Sequence, residues 1–578
     1  MAGIAGWIAT ARQACDEGAL GAMAGALAHR GVEDLYAYLD AGARQQVALG
    51  AALVDRPARI ALVLDGALAN AAELRGALAK HGYRFTGNTQ EEVLLRAYQY
   101  WDKDVAKQLR GAFAFAIWDA RKDRLLLARD RFGEKPLYLH EKRGALYFAS
   151  EPKALLKAGV RAQVDLSALW DCLAYRYVPG PRTLFAGIRK LPPASTLTWQ
   201  FGSLQEVRYW VAPDREAFQR KPMNGEPAAG LLERLSEAVK LRAAQGLFLS
   251  GGLDSAVLAA LMSRDGGKPR TFSLGVEGDA ASELPHAAQI AKHFGTAHHE
   301  MAVAPRELIP SLPRLVAQRD APVARPSDLA VYRLACEAAR SVKTVLTGDG
   351  CDEVLGGYRR YVAEAMSGGV EAFPARLLAP LVSAGRFDTA AAALRLNGWR
   401  YKLFANQEQV GKQIKSPVEE HGASRLRRAL YADQTGWLPD QLLERNDRAA
   451  SAASIEARMP FLDHRVAEYA SALPDEQRVR GLTTKRILRE AARQLIPPEL
   501  QRRPKSGWRL DAAAWLRNDL RDFALEHLQG GSSVTRQYYD AAALDRVLAG
   551  HLKGKKNHEI LLWTLLNIEI WHRTYKPG

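Results

Sequence analysis

Cysteine is scarce: the 578 residues hold four (Cys15, Cys172, Cys336, Cys351), and no two form a C-x-x-C pair. That argues against a disulfide scaffold or zinc ribbon and for a reducing compartment, by default the cytoplasm. No run of about 18 apolar residues occurs, so no transmembrane helix is expected. The start, MAGIAGWIATARQACDEG, lacks a basic region followed by an apolar one and reads as no signal peptide. Glycine (47) and proline (27) are too few and too scattered for a collagen-like or linker-dominated chain. Neither G-x-x-x-x-G-K-[ST] nor G-x-G-x-x-G is found, which removes the two commonest nucleotide fingerprints. Charge is not lacking. Basic residues outnumber acidic ones 80 to 64, for +16. They are interspersed with acids, and the dense stretches (Arg502-Arg503-Pro504-Lys505, Lys553-Gly554-Lys555-Lys556) are short. A basic composition is therefore favoured over a nucleic-acid partner.

The 48% hydrophobic and 25% charged content is that of a globular chain, long enough for two large domains. Residues 1–210 carry short β-like runs, among them Ala61–Leu64, Ala114–Trp118 and Arg124–Ala128. Asp65-Gly66 and Arg131-Phe132-Gly133 read as bounding turns, and Glu91–Tyr100 reads as a helix. Residues 211–229 are polar with Pro and Gly, a linker pattern. From 230 to 578 the pattern alternates. A helix carries Leu231, Leu232, Leu235 and Val239, with Gly246 as its stop. Strands follow at 247–249, 271–275 and 344–347, with a helix at 254–264 between the first two. Such alternation predicts a parallel α/β sheet, and the last 130 residues look mainly helical.

Two segments carry chemistry. In Leu249-Ser250-Gly251-Gly252-Leu253-Asp254-Ser255 a strand enters a small-residue turn that opens a helix. A helix start offers unpaired N–H groups and partial positive charge, glycines allow close approach, and Ser250 and Ser255 add hydroxyls. Together they make a cradle for a phosphate or pyrophosphate. Asp254 fits such a site if Mg2+ bridges it to phosphate. In Thr347-Gly348-Asp349-Gly350-Cys351-Asp352-Glu353 three carboxylates crowd after another apolar strand and call for a cation among them. Loops at strand carboxyl ends meet in an open parallel sheet, so Asp352 is expected to join Asp254 on the metal. The plainer alternatives are a Gly-rich strand–helix turn and a solvated acidic loop.

SGGLDS, TFSLGV, the HHE at 298–300, TGDGCDEVLGGY and SIEARMPFLDHR resemble the asparagine synthetase family over nearly the whole chain. The resemblance implies two α/β domains. The first is an αββα sandwich of the N-terminal-nucleophile glutaminase type. The second is an ATP-pyrophosphatase (PP-loop) parallel sheet with a helical C-terminal portion. The implied reaction uses ATP and Mg2+. A carboxylate attacks the α-phosphate, giving an acyl-adenylate and pyrophosphate, and an amine then attacks the carbonyl. By resemblance, Ser250, Gly251, Gly252, Asp254 and Ser255 hold pyrophosphate, and Asp254 and Asp352 hold the metal. Leu274, Thr347 and Gly348 line the adenosine pocket. Asp349 lies near the reacting carboxyl or amine, and Lys485 stabilises charge on the adenylate. Glu456 and Arg458 read as a buried structural pair beside the site.

The first domain departs from that pattern. The family's nucleophile is a cysteine at position 2, where this chain has Ala2; its N-G-E reads Asp65-Gly66-Ala67; the acid that receives glutamine's amine appears as Gln90; and the pair after H-R-G is Val32-Glu33. The expectation is a domain that does not hydrolyse glutamine. In the second domain Arg325 stands where an acid is frequent. A guanidinium there favours an anionic group and a substrate other than aspartate, against the plain reading of a loop surface arginine. The expected partners are a small carboxylic acid and ammonia or another amine. A peptide substrate and a homodimer stay open. A β-lactam or lasso-peptide type cyclase is the main alternative, ahead of a tRNA-modifying ligase and a non-catalytic protein.

Overall fold

The computed structural model describes residues 3–10, 17–31, 36–41, 45–142, 144–215, 226–278, 282–366, 424–501 and 510–577. Ala2, Cys15, Val32-Glu33, residues 216–225 of the expected linker and the basic stretch 502–505 lie outside them. The chain divides into two compact units: Met1–Asp165 with Gly180–Ala212, and Leu166–Pro179 with Pro213–Pro577.

The first unit stacks two six-stranded antiparallel sheets. One runs Ile188–Lys190, Tyr138–Lys142, Ala145–Ala149, Ala5–Thr10, Gln45–Ala51, Tyr36–Ala41. The other runs Ser203–Arg208, Ser195–Gln200, Arg124–Arg129, Gly111–Asp119, Ile60–Leu68, Leu53–Asp55. Alternation along each strand sets the layers. Ala61 and Val63 join Ile8, Val47, Leu49 and Trp118 between the sheets. Leu62 and Leu64 face the opposite way, onto Leu94, Leu95 and Tyr98 of the helix Gln90–Trp101. Helices Glu17–Ala26 and Pro152–Lys157 cover the first sheet, completing the αββα order. Asp65-Gly66 is not a turn. Both residues lie inside the strand Ile60–Leu68, paired to Ala114 and Phe113. Gly66 holds a φ of 101°, and a Cβ there would sit 2.1 Å from the Ala112 carbonyl oxygen, so the glycine serves a close strand contact.

The second unit has a five-stranded parallel sheet in the order Ala297–Val303, Arg270–Val276, Gly246–Phe248, Thr344–Leu346, Glu456–Arg458. Gly246 opens a strand; the preceding helix ends at Leu241. From Gly246–Phe248 the chain order runs outward one way through the next two strands and then the other way. A reversal of this kind leaves a crevice beyond the strand carboxyl ends. The segments 249–252 and 347–350 follow the two strands that flank the reversal. The last helix, Glu559–Tyr575, is buried on nearly all sides. Its Trp563 and Trp571 indoles donate to the carbonyls of Val323 (2.8 Å) and Asp320 (3.0 Å), and Asn567 Oδ1 accepts from Val323 N at 3.2 Å. Those bonds fix the loop leading to Arg325.

Candidate active site

The phosphate turn is organised by its own serines. Ser255 Oγ accepts from Ser250 N (3.2 Å) and donates to Gly252 O (3.1 Å); Ser250 Oγ accepts from Gly252 N (3.4 Å). Ser255 is buried and Ser250 exposed. The structure thus gives Ser255 a turn-forming part, with its Oγ 3.2 Å from Ser250 Oγ, and leaves Ser250 exposed. Gly251 has a φ of 71° and packs so closely that a Cβ would lie 3.0 Å from Ala287 N and Glu283 O. A Cβ on Gly348 would meet Asp254 Cβ at 3.0 Å, so the turn 347–350 lies against the first turn of the helix Leu253–Met262 that the phosphate turn opens. Leu274 is buried in its strand, and the neighbouring Ser273 hydroxyl donates to Leu249 O, tying that strand to the phosphate turn.

Asp254 and Asp352 meet at one cation. Lys485 Nζ lies 2.5 Å from Asp254 Oδ2 and 2.6 Å from Asp352 Oδ1. Burial works against its charge, yet Asp254 and then Asp352 hold its pKa well above the ordinary lysine value. Lys485 adopts a left-handed backbone (φ 51°) at the start of the helix Arg486–Ala492, a strained state that its ion pairs help hold. A Cβ at Gly357 would collide with Asp352 Oδ1 (1.8 Å) and Lys485 Cε (2.1 Å), so the cluster packs over a bare backbone. The thiol of Cys351 donates to Asp254 Oδ1 at 3.3 Å, and its pKa is pushed up by burial first and Asp254's charge second. Among the described residues no group of three or more His, Cys, Asp or Glu side chains is placed to hold a metal. Two carboxylates are what the protein brings here.

Asp349 is held by residues the sequence did not announce. Its Oδ1 accepts from Arg445 (3.3 Å) and its Oδ2 from Asn446 (2.8 Å), while Thr347 Oγ1 accepts from Asp349 N at 3.4 Å. Arg325 stacks its guanidinium 4.5 Å from the centroid of Trp437, which meets Tyr177 edge-on at 5.6 Å; its backbone N donates to Asp328. Glu456 and Arg458 do pair, at 2.8 Å.

Glu353 is fully buried beside this cluster. Tyr358 donates to its Oε1 at 2.6 Å, and its Oε2 is buried without a hydrogen bond. Burial, reinforced by Asp352's charge, raises its pKa from 4.5 to about 7. The folded state therefore takes up the proton more readily than the unfolded one. The resulting stability is fully present below pH 4.5 and is lost as pH rises through 7. A shift of that size corresponds to about 3 kcal/mol. Glu353→Gln, neutral throughout, should lose about that much less than the native chain between pH 4.5 and 7.5 in urea titrations; parallel pH curves for the two proteins would contradict this.

In the first unit Asp65 is buried, 3.3 Å from Arg30 Nη1, 3.8 Å from Lys135 Nζ, and accepts from Ser150 Oγ at 3.0 Å. Glu151, also buried, takes Arg30 Nε (2.5 Å), His29 Nε2 (2.9 Å) and Lys153 Nζ (2.6 Å). Gln90 opens its helix, and its Oε1 accepts from Leu68 N at 2.6 Å. Ala67 is half-buried opposite Ala112.

Comparison with known proteins decides the family. The profile described as Asparagine synthase matches residues 230–573. The chain belongs to the asparagine synthase family. In this family member the profile described as Glutamine amidotransferase domain also matches, over residues 1–210. It is 29% identical over 545 residues to "Asparagine synthetase [glutamine-hydrolyzing] 1" of Bacillus subtilis, covering 88% of this chain and 85% of the relative. It is 32% identical over 568 residues (90% and 85%) to a "Putative asparagine synthetase [glutamine-hydrolyzing]" of Mycobacterium bovis. It is also 25% identical over 525 residues (78% and 77%) to "Amidase chry2" of Gibberella zeae. As an asparagine synthase family chain it is an ATP-dependent ligase of the asparagine-synthetase type, acting on small molecules. No helix among the described residues is long and apolar enough to cross a membrane.

Proposed function

We propose that the second unit adenylates a small carboxylic acid and passes the acyl group to free ammonia or another amine, without glutamine as nitrogen source. The carrying observation is the meeting of Asp254 and Asp352 on one cation beside the phosphate turn. Mg2+ typically binds through one or two carboxylates plus substrate phosphates, and two carboxylates with no further protein ligand fit that donor set. Asp254 and Asp352 would hold it, and it would supply charge neutralisation on pyrophosphate. The chain's own groups do the rest. Ser250 and the turn 250–255 cradle phosphate, Leu274, Thr347 and Gly348 border the adenosine, and Lys485 aims positive charge at the oxygens that gain negative charge. The acid's carboxylate oxygen bonds to the α-phosphorus and pyrophosphate leaves; the amine then bonds to the carbonyl carbon and AMP leaves. Asp349 lies next to that exchange. Arg325, on the loop stitched to the last helix, faces an anionic portion of the acid.

The first unit, on this reading, has lost its glutamine chemistry. Ala2 supplies no thiol, and Asp65 and Glu151 hold cations in a buried network. The test is acid-dependent ATP–pyrophosphate exchange across a panel of acids. It is followed by mass spectrometry of products with ammonium, glutamine or added amines. AMP and an amide with ammonium or an amine are expected, and no glutamate from glutamine. Exchange with no acid would refute adenylation, and glutamate release would refute the silent first unit. A product that is the acid minus water, formed with no added amine, would favour the cyclase.

A further inference from the structure

The carboxylate of Asp349 has two oxygens, and each is taken by a different residue of one adjacent pair, Arg445 and Asn446, near the start of the helix Glu444–Ala452. The pair is ordered internally. Arg445 Nε and Nη2 both donate to Asn446 Oδ1, at 3.1 and 2.9 Å. With its oxygen held by a guanidinium, the Asn446 amide can present only its NH2 to Asp349; the flipped amide would set oxygen against carboxylate. Arg445 also reaches the other way. Its Nη1 lies 3.8 Å from Asp328 Oδ1, a buried oxygen with no hydrogen bond of its own. Asp328 Oδ2 in turn accepts from Arg319 (3.1 Å), Gln441 (3.4 Å) and the backbone N of Arg325 (3.3 Å). One guanidinium thus spans the turn that carries Asp349 and the loop that carries Arg325.

The segment leading into the pair is unusual as well. Asp433–Leu443 winds as a π-helix with Pro439 inside it. Proline removes one helical N–H and crowds the carbonyl four residues back, and wider winding relieves that crowding. It hands over to the α-helical turn that bears Arg445 and Asn446.

We infer that Arg445 and Asn446 are positioning residues for Asp349: Asn446 fixes the orientation of its carboxylate, and Arg445 couples that orientation to the Arg325 loop. This rests on the adenylation reading above. Asp349 is a quarter exposed on its side chain, whereas Asp328 and Arg319 are almost wholly buried. Asp349 is therefore the most open group of the network, with Arg445 15% exposed beside it, and the clamp decides which edge of the carboxylate shows.

The test compares Asn446→Ala with Asn446→Asp. If the side chain only filled space, the same-shaped aspartate would be the milder change. If it holds Asp349, aspartate is the worse one, because it faces a carboxylate across 2.8 Å and draws Arg445 away. A hydrogen bond to a charged group of this strength predicts that Asn446→Ala lowers kcat for amide formation about 10- to 100-fold. Asn446→Asp should lower it further, with KM for ATP and the melting temperature little changed in both. Arg445→Lys should keep more turnover than Arg445→Met. Should Asn446→Asp melt early, the alanine variant and the Arg445 pair carry the test by the same kcat-against-KM split. Native turnover in the Asn446 variants, a milder aspartate, or losses confined to KM for ATP would each overturn the inference. A native protein that makes no AMP with any acid would overturn the adenylation reading and this inference together; a native protein that turns over leaves the adenylation reading standing whatever the variants do.

Discussion

Asp254→Ala brings acid-dependent ATP–pyrophosphate exchange to background, and Asp352→Ala does the same. Both carboxylates converge on the Lys485 ammonium within 2.6 Å and sit where the two central strands deliver their loops. Removing Asp254 takes away one of the two carboxylates that meet there and leaves the buried ammonium with one of its two counter-ions. It also frees the Cys351 thiol from its acceptor. Losing charge stabilisation of several kcal/mol at the point where negative charge develops costs at least about a thousandfold in rate. Stability pulls the same way, since breaking a buried ion pair from one side costs about 3–5 kcal/mol. Activity and folding therefore have to be read apart. Asp254→Asn keeps the shape and most of the packing, so exchange should vanish while thermal melting moves by only a few degrees. Lys485→Met is the complementary case. It leaves two carboxylates facing one another with no ammonium between them, and both exchange and stability should fall at neutral pH. Exchange within tenfold of native in Asp254→Asn would remove the basis for placing nucleotide chemistry in this cluster.

Much of this arrangement was legible in the sequence because it is local. A strand, a Ser-Gly-Gly turn and a helix carrying Asp254 form one continuous stretch, and periodicity alone placed them. The TGDGCDE turn was legible for the same reason, and parallel-sheet topology then implied that the two turns meet. What was not legible is what chain folding brings from afar. Lys485, named only through the resemblance and not as the partner of both carboxylates, is 231 positions from Asp254, and Arg445 and Asn446, which nothing named, are 96 and 97 from Asp349. No periodicity marks an arginine as the partner of a distant carboxylate. Asp65-Gly66 read as a turn because Asp-Gly is a strong turn pair. The strand partner Ala112, whose carbonyl presses on Gly66, is far away in sequence, and it shows why a glycine stands mid-strand. Nor does the pattern of Leu166–Tyr175 say which unit it packs into; the contacts put it with the second. The π-winding at 433–443 had no signal beyond Pro439.

Restoring a thiol at position 2 does not restore glutamine hydrolysis: Ala2→Cys should release no glutamate above background. Position 2 lies outside the described residues, so the case rests on the residues around the expected pocket. By resemblance, the N-G-E stretch that holds glutamine and stabilises the oxyanion reads Asp65-Gly66-Ala67 here. An ionised carboxylate is acceptor-only and cannot donate to an oxyanion. Asp65 is also committed, buried against Arg30, Lys135 and Ser150. Loss of an oxyanion donor alone costs about 10^2–10^3 in rate. The second deficit is independent. Where the resemblance expects a carboxylate for glutamine's ammonium there is a neutral amide, Gln90, whose oxygen already accepts from Leu68 N. Asp65→Asn on top of Ala2→Cys does not mend this. It returns the donor but strips a counter-ion from Arg30, which stays buried with Glu151, itself shared with His29 and Lys153. The stepwise series Ala2→Cys, then Asp65→Asn, then Gln90→Asp, assayed for glutamate and for melting, should yield no glutamate before the last step and lose stability at the second. Steady glutamate release from Ala2→Cys alone would mean that the pocket still binds and activates glutamine, and that the nucleophile was the only part missing.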